Sequence, residues 1–526
     1  MVSVTVSRAR ALLIVGVISA AGSALLAPTF APAAIVGKTA RPAGVAGAGA
    51  AGAAGAAYLD RPSPATCRAE RAPRWAAPTG SSDPRGSVRV VGIQYKQDLR
   101  HITTYAEFRQ TMRCLVETFV VPLEVPGRPT LAVFNEDIGL MTLGIGRRGQ
   151  PIRMLSATAL RAPLGDAIPA GVATALIGLN ATYAPQIAAY QASLGPIDPR
   201  KQVLVGATDT FARAFSQTFS DIAADYRIYV VAANNQPTYR ESRAPIDLAL
   251  FTDPEAADRS VAYVATSQHV ANTAFLWGPK TVHPAAPKGE RNLLFRNEKV
   301  PLTSIEQTLL ALDSGPTRGP AAVANARGLS LFGLHLGFAT SLPAFTFGYS
   351  FGKRPASLAP CADVSTTYMA CMDSLGVDTV IQAEANPGRW TAPGGTSDWQ
   401  PLEWMGSGWR NVADPTVHLR YNVTAMMTGN LLDLPFDGQS SITARTSREP
   451  LRHYVGTLER AAADPAAMLG YHGAKRQFLA LAPWVAPDAA RTRLQAIGAR
   501  LAPGSNDPIE NDYLETAVYA DLAPSR

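Results

Sequence analysis

Apolar positions along the chain switch between two periods. Residues 87–95 (Ser-Val-Arg-Val-Val-Gly-Ile-Gln-Tyr) form a β-branched run of strand character, and residues 103–119 then place Tyr105, Phe108, Met112, Leu115 and Val116 at helical spacing. A strand feeding a helix opens an α/β pattern, and the pattern recurs. An apolar strand at 129–134 ends abruptly in Asn135-Glu136-Asp137, and an amphipathic helix at 210–224, carrying Phe211, Ala214, Phe215 and Phe219, runs into a strand at 226–233. Residues 261–266 and 272–279 read as two pieces of sheet edge or hairpin, and 423–428, 440–443 and 510–522 as later strands. The carboxylate of Glu136 falls at the C-terminal end of its strand, where sites in α/β sheets collect; on its own it reads rather as a solvated strand end or a helix cap.

Two stretches interrupt the pattern. Residues 144–209 are rich in small apolar residues, with a helix over 170–192 that Pro185 should break, and read as an insertion. A second insertion is expected near 310–355. Within it, residues 329–351 are strongly apolar but carry several glycines and a proline, which favours a buried or lid-forming loop over a membrane span. Residues 357–383 then read as strand, sharp turn, helix and strand, with the turn presenting the thiol of Cys361. A lone cysteine is also compatible with a small buried apolar residue. Lys299, between an apolar run and a loop, is by itself an ordinary surface cation.

Composition adds the compartment. Arg8 and Arg10 precede an apolar run over 11–27, and Ala31-Pro32-Ala33 follows as a cleavage site, so residues 1–33 read as a signal peptide. The alternative is an uncleaved anchor, which would be the chain's sole membrane contact. Residues 34–86, dominated at first by alanine and glycine, read as a linker, and residues 87–526 as one folded domain. At 526 residues, 47% hydrophobic, the chain has enough to bury a large core. The net charge of +7 is scattered along the chain, without a nucleic-acid footprint. Four cysteines in an exported chain invite a disulfide, with Cys67 and Cys114 the plausible pair and Cys371 a core residue. No spacing calls for zinc or another cofactor.

The order of three segments is specific. Phe134-Asn135-Glu136, then Glu298-Lys299-Val-Pro-Leu302 with Glu306 seven residues after the lysine, then Cys361-Ala-Asp363 before Gly376-Val-Asp378, resemble the signature segments of the nitrilase, or carbon-nitrogen hydrolase, superfamily. Asn272-Thr-Ala, Gly438-Gln-Ser440-Ser-Ile442 and the closing strand at 517–522 are similar to further family segments. Pro360, directly before Cys361, departs from the apolar strand residue of the family pattern.

The resemblance implies an α/β four-layer α-β-β-α sandwich burying a Glu136, Lys299, Cys361 triad. Cys361 would attack a carbon bonded to nitrogen and form a thioester. Glu136 would serve as general base and acid. Lys299 and the backbone N–H of Ala362 would hold the oxyanion, with Glu306 orienting substrate and lysine. The implied activity is secreted, amidase-type cleavage of a small linear amide, ahead of nitrile chemistry. Two alternatives stand beside it: an N-acyltransferase-like activity on an acyl or lipid substrate, and an inactive envelope binding protein of the same fold. A homodimer paired across residues 366–374 is compatible with the family.

Overall fold

The computed structural model describes residues 61–71, 75–99, 102–157, 170–386, 400–431, 434–436, 438–445, 477–483 and 514–524. The expected signal peptide and residues 34–60 of the expected linker lie outside the described residues. The chain separates into residues 1–61 and 62–526, and all the described strands and helices belong to the second unit.

The fold is mixed α/β, built on a large sheet with helices. The short strand β1 (Thr79–Ser81) pairs in parallel with the closing strand β16 (Thr516–Leu522), which runs antiparallel along β2 (Val88–Lys96). All nine residues of β2 are buried, and it pairs in parallel with β3 (Thr130–Val133), which pairs in parallel with β4 (Tyr229–Gln236). Antiparallel β7 (Ala271–Trp277) and β8 (Leu293–Glu298) extend that side, while β5 (Tyr239–Ser242) and β6 (Ala262–Ala265) form a separate pair. A second run of parallel strands is formed by β10 (Leu334–Phe338), β11 (Thr379–Glu384) and β12 (Tyr421–Leu431). Strands β13 (Leu434–Phe436) and β14 (Ser441–Ala444) pair antiparallel with β12, and β15 (Phe478–Leu481) with β14. The two runs are joined by a short parallel pairing of β2 with β12, Tyr95 opposite Met427 and Lys96 opposite Thr428. Strands β2, β3, β4, β10, β11 and β12 therefore point their C-terminal ends the same way along the sheet. That common edge carries the site.

Alternation along the strands sorts the core. Val88, Val90, Leu131, Val133 and Val231 share one buried cluster with Leu336, Phe338, Ile381, Val423 and Ile442. Their neighbours in sequence, Val91, Ile93, Ala132, Phe134 and Val230, face the other way. They pack under Phe108, Met112 and Val116 of the helix Tyr105–Phe119 and under Phe219 and Ile222 of the helix Gln217–Tyr226. Val380, opposite in facing to Ile381, packs with Met369 and Met372 of the helix Tyr368–Ser374. The helix Tyr105–Phe119 starts sharply because Thr104 and Glu107 form a reciprocal capping box.

Three expectations change here. Residues from 62 onward are not all spacer: a helix at Pro64–Arg71 is tied by a Cys67–Cys114 disulfide to the helix Tyr105–Phe119, and β1 joins the sheet beside β16. At Gly80 a Cβ atom would lie 2.1 Å from the Tyr519 carbonyl oxygen, so only glycine permits that approach. The stretch 144–209 is largely helical where described, and Leu179, Tyr183 and Tyr190 belong to the core cluster under the first run of strands. Pro185 does divide its helices, sitting in the first turn of Ala184–Leu194, where its missing N–H is not needed. The third change matters most. Residues 329–351 are not simply a loop, because β9 (Leu329–Leu331) and β10 form a hairpin whose second strand is part of the sheet.

Both sulfurs of the Cys67–Cys114 pair belong to fully buried residues and close a 47-residue separation. Replacing both by serine should therefore lower unfolding stability by about 2–4 kcal/mol, read from chemical denaturation.

Candidate active site

The edge formed by the strand C-termini gathers Lys299 and several carboxyl groups, nearly all removed from water. Beyond β3, Phe134 donates its N–H to Val231 and prolongs the pairing by one residue. Asp137 then turns in the left-handed region at φ 58°, so Glu136 is delivered at the strand end, 2% exposed. Beyond β8, Lys299 donates its backbone N–H to Asn272 at 2.8 Å and is likewise 2% exposed. Its Nζ donates to Glu136 Oε1 at 2.7 Å and lies 3.0 Å from Glu306 Oε2. Asn272 Nδ2 ties the two acids together, donating to Glu136 Oε1 at 2.7 Å and to Glu306 Oε1 at 2.8 Å. Glu136 Oε2 accepts the backbone N–H of Ala385 at 2.9 Å, just past β11.

Glu306 has a second task. It is the third residue in the capping box of the helix Ser304–Thr308, where Thr303 donates both its N–H and its hydroxyl to Glu306 Oε2. The carboxylate is thereby locked before it meets the lysine.

Burial and charge act differently on each member. Burial opposes the charge of Lys299, but the two adjacent carboxylates outweigh it and raise its pKa. Burial also opposes ionisation of Glu306, yet Lys299, Asn272 and Thr303 together hold its pKa below the usual carboxylate value. At Glu136 burial prevails, helped by the charge of Glu306, and the pKa is raised despite Lys299 and the Ala385 N–H. Asp137 and Glu384 are pushed well above the ordinary range, mainly by burial and then by the charge of Glu136. The lysine thus has one firmly ionised partner, Glu306, and one partner, Glu136, that takes up a proton more readily. That division suits a carboxyl group that must accept and return protons.

Around this core, Asn135 Oδ1, Asn234 Oδ1, Asn235 Oδ1, Thr340 Oγ1 and Asn272 Oδ1 are buried without a protein hydrogen-bond partner among the described residues. Buried polar atoms are nearly always satisfied.

Cys361 is not part of this arrangement. Its sulfur is bonded to Cys371 of the helix Tyr368–Ser374, and it sits beside the Ser374 hydroxyl at 3.5 Å. None of the hydrogen bonds or ion pairs of Glu136 and Lys299 reaches it. The nucleophile assignment is corrected accordingly, since a sulfur held in a disulfide has no proton to lose. The expected oxyanion role of Ala362 falls with it: its N–H donates to the Ala359 carbonyl at 3.2 Å within a turn. Asp363 is engaged at the surface by Arg318. The expected strand before Cys361 is absent; Pro355 and Pro360 each lack the N–H a ladder needs.

A strand, sharp turn and helix in that order occur earlier, at a residue the sequence patterns did not single out. Strand β10 ends at Phe338, Ala339 continues its pairing through an N–H to the Ile381 carbonyl, and Ser341 adopts φ 59°, ψ −117° at the head of the short helix Leu342–Phe345. A residue with a Cβ in that region costs about 1–3 kcal/mol and persists only where surroundings enforce it. Ser341 is 2% exposed, and its side chain lies close enough to Glu384 to offset part of that acid's raised pKa, although Glu384 Oε2 makes no hydrogen bond of normal geometry among the described residues. The available signal was Leu334-His-Leu-Gly-Phe338, alternating as a strand, followed by a serine two residues before Pro343.

No protein-family profile and no curated protein sequence matches the chain. Solved structures similar to it include amidases of the nitrilase superfamily, from Nesterenkonia sp. AN1. A mutant of that amidase, with acrylamide joined by Michael addition to its active-site cysteine, aligns over 68% of this chain and 85% of its own, at 13% identity and a TM-score of 0.31. A double mutant in complex with acrylamide aligns over 69% and 85%, at 14% identity and a TM-score of 0.32. A further mutant, from the nitrilase superfamily, aligns over 68% and 85%, at 13% identity and a TM-score of 0.30.

The geometry leads to two expected outcomes. Iodoacetamide applied without reductant should modify none of the four cysteines, by peptide mass mapping, and should leave any turnover unchanged. Glu384, whose folded pKa is raised, contributes stability below its unfolded value near 4.5 and loses it as pH rises toward the folded value. Glu384→Gln should therefore melt progressively higher than the wild type as pH is raised from 5 to 8. Each pH unit short of the folded value is worth about 1.4 kcal/mol.

Proposed function

We propose that this protein is a carbon-nitrogen hydrolase that cleaves a small non-peptide amide. The observation that carries the reading is Lys299 held between Glu136 and Glu306, with Asn272 bridging both acids, at the C-terminal edge of the parallel strands. In this reading Glu136 takes the proton of the attacking group and returns it to the departing nitrogen. Lys299 stabilises the negative oxygen of the tetrahedral intermediate, in a buried site where that charge is worth far more than in water. Glu306 and Asn272 are positioning residues, holding the ammonium where the oxygen develops.

The fold we propose is the four-layer α-β-β-α sandwich of the nitrilase type. One buried cluster shared by both runs of strands, with helices packed on their opposite faces, supports it. An extracytoplasmic location is supported by the disulfide bonding of all four cysteines together with the apolar amino-terminal run. A binding protein without turnover is the second reading, favoured by the disulfide that occupies Cys361.

Release of ammonia or amine from a panel of short-chain, aromatic and acyl amides separates the two. Turnover by the wild type should fall by about 10² or more in Glu136→Gln, and by about 10² to 10³ in Lys299→Met. Product appearing as a transferred acyl group when an amine acceptor is added would redirect the assignment to acyl transfer. A wild type inert toward the whole panel would leave the binding reading standing instead.

A further inference from the structure

All four cysteines are spent in disulfides, so a covalent step at this site cannot use a thiol. We propose that the hydroxyl of Ser341 is the nucleophile, and that the reaction passes through an acyl ester on Ser341 Oγ; this rests on the amide-hydrolase reading above. Three observations converge on that atom. The first is its place on a strand-to-helix turn with a left-handed φ, a geometry that lifts a side chain off the end of a parallel strand. The second is register: Phe338 lies opposite Ile381 in the parallel pairing of β10 with β11, so Ser341 and Glu384 are each three residues further on. The Ser341 side chain and the Glu384 carboxyl do lie together. The third is what lies next to Glu384. Its carboxyl feels the charges of Glu136 and Lys299, and the following residue, Ala385, donates its N–H to Glu136 Oε2. The turn also assigns the Leu342 N–H as a second oxyanion donor, as the residue following a nucleophile on such a turn supplies it.

The step balances without a co-reactant. Glu136 takes the Ser341 proton as Oγ bonds to the amide carbon, and the carbonyl electrons move onto oxygen beside Lys299. The C–N bond breaks as Glu136 returns the proton to nitrogen. Water then gives a proton to Glu136 and its oxygen to the acyl carbon, and the Oγ–C bond breaks with the proton passing back to Oγ.

A fluorophosphonate probe tests this on the full chain, since attack by an activated serine displaces fluoride and leaves a stable adduct read by mass. The wild type should carry one adduct, mapped to Ser341, forming at least ~10²-fold more slowly in Glu136→Gln. Ser341→Gly, which suits the positive φ and keeps the fold, should carry none and should lose amide turnover. Ser341→Cys, in a protein whose other cysteines are bonded, should gain a single iodoacetamide-reactive thiol. Turnover that persists in Ser341→Gly overturns the Ser341 assignment and leaves amide hydrolysis intact, with water attacking directly. An adduct at Ser341 without turnover of any amide supports the nucleophile and removes the amide reading. Neither adduct nor turnover in a folded wild type overturns both.

Discussion

The charge of Lys299 is buried, and much of the surrounding structure is what makes that tolerable. An ammonium withdrawn from water costs several kcal/mol unless it is paired and hydrogen-bonded. Here Glu136 and Glu306 flank it, Asn272 bridges the pair, and the Ala385 N–H neutralises part of the excess negative charge on Glu136. These residues come from β7, the ends of β3, β8 and β11, and a capped helix. Removing one partner of such a pair typically costs about 3–5 kcal/mol because the other is stranded. The lysine therefore binds distant segments of the chain to one geometry, and that geometry is the site.

Two further carboxyl groups, Asp137 and Glu384, would make the site untenably negative if ionised. Burial and the neighbouring acids keep both protonated more readily than usual. Glu384 has the Ser341 side chain beside it and feels the charge of Glu136, and its raised pKa lessens the negative charge it adds there. Its other oxygen accepts from Gln382 Nε2, which also donates to the Ser407 hydroxyl, so the acid is anchored through that amide.

The two turns that follow apolar stretches show where pattern and structure part. Residues 357–363 carry a cysteine, an aspartate and a following Gly-Val-Asp in the order of a family motif, yet no strand precedes Cys361 and its sulfur is bonded to Cys371. Residues 334–343 match no motif and read as part of a lid, yet they form the strand and turn that deliver a hydroxyl to the sheet edge. Pro360 was the local sign against the first, because a proline cannot donate into the ladder it would have to end. The alternation of Leu334, Leu336 and Phe338 was the local sign for the second, hidden by the glycines around it.

Local order along the chain was enough to dictate the alternation of strands and helices from β2 onward and the strand-end placement of Glu136. The lysine and second acid came instead from the resemblance of short ordered segments to a family pattern. The group expected to meet them was the thiol of Cys361. Long-range folding instead bonded that sulfur to Cys371 and set the parallel register of β10 on β11 that carries Ser341 to the sheet edge. Register is a relation between segments far apart in the chain, and a disulfide forms only where folding brings two sulfurs together, so neither is written in the local order of residues.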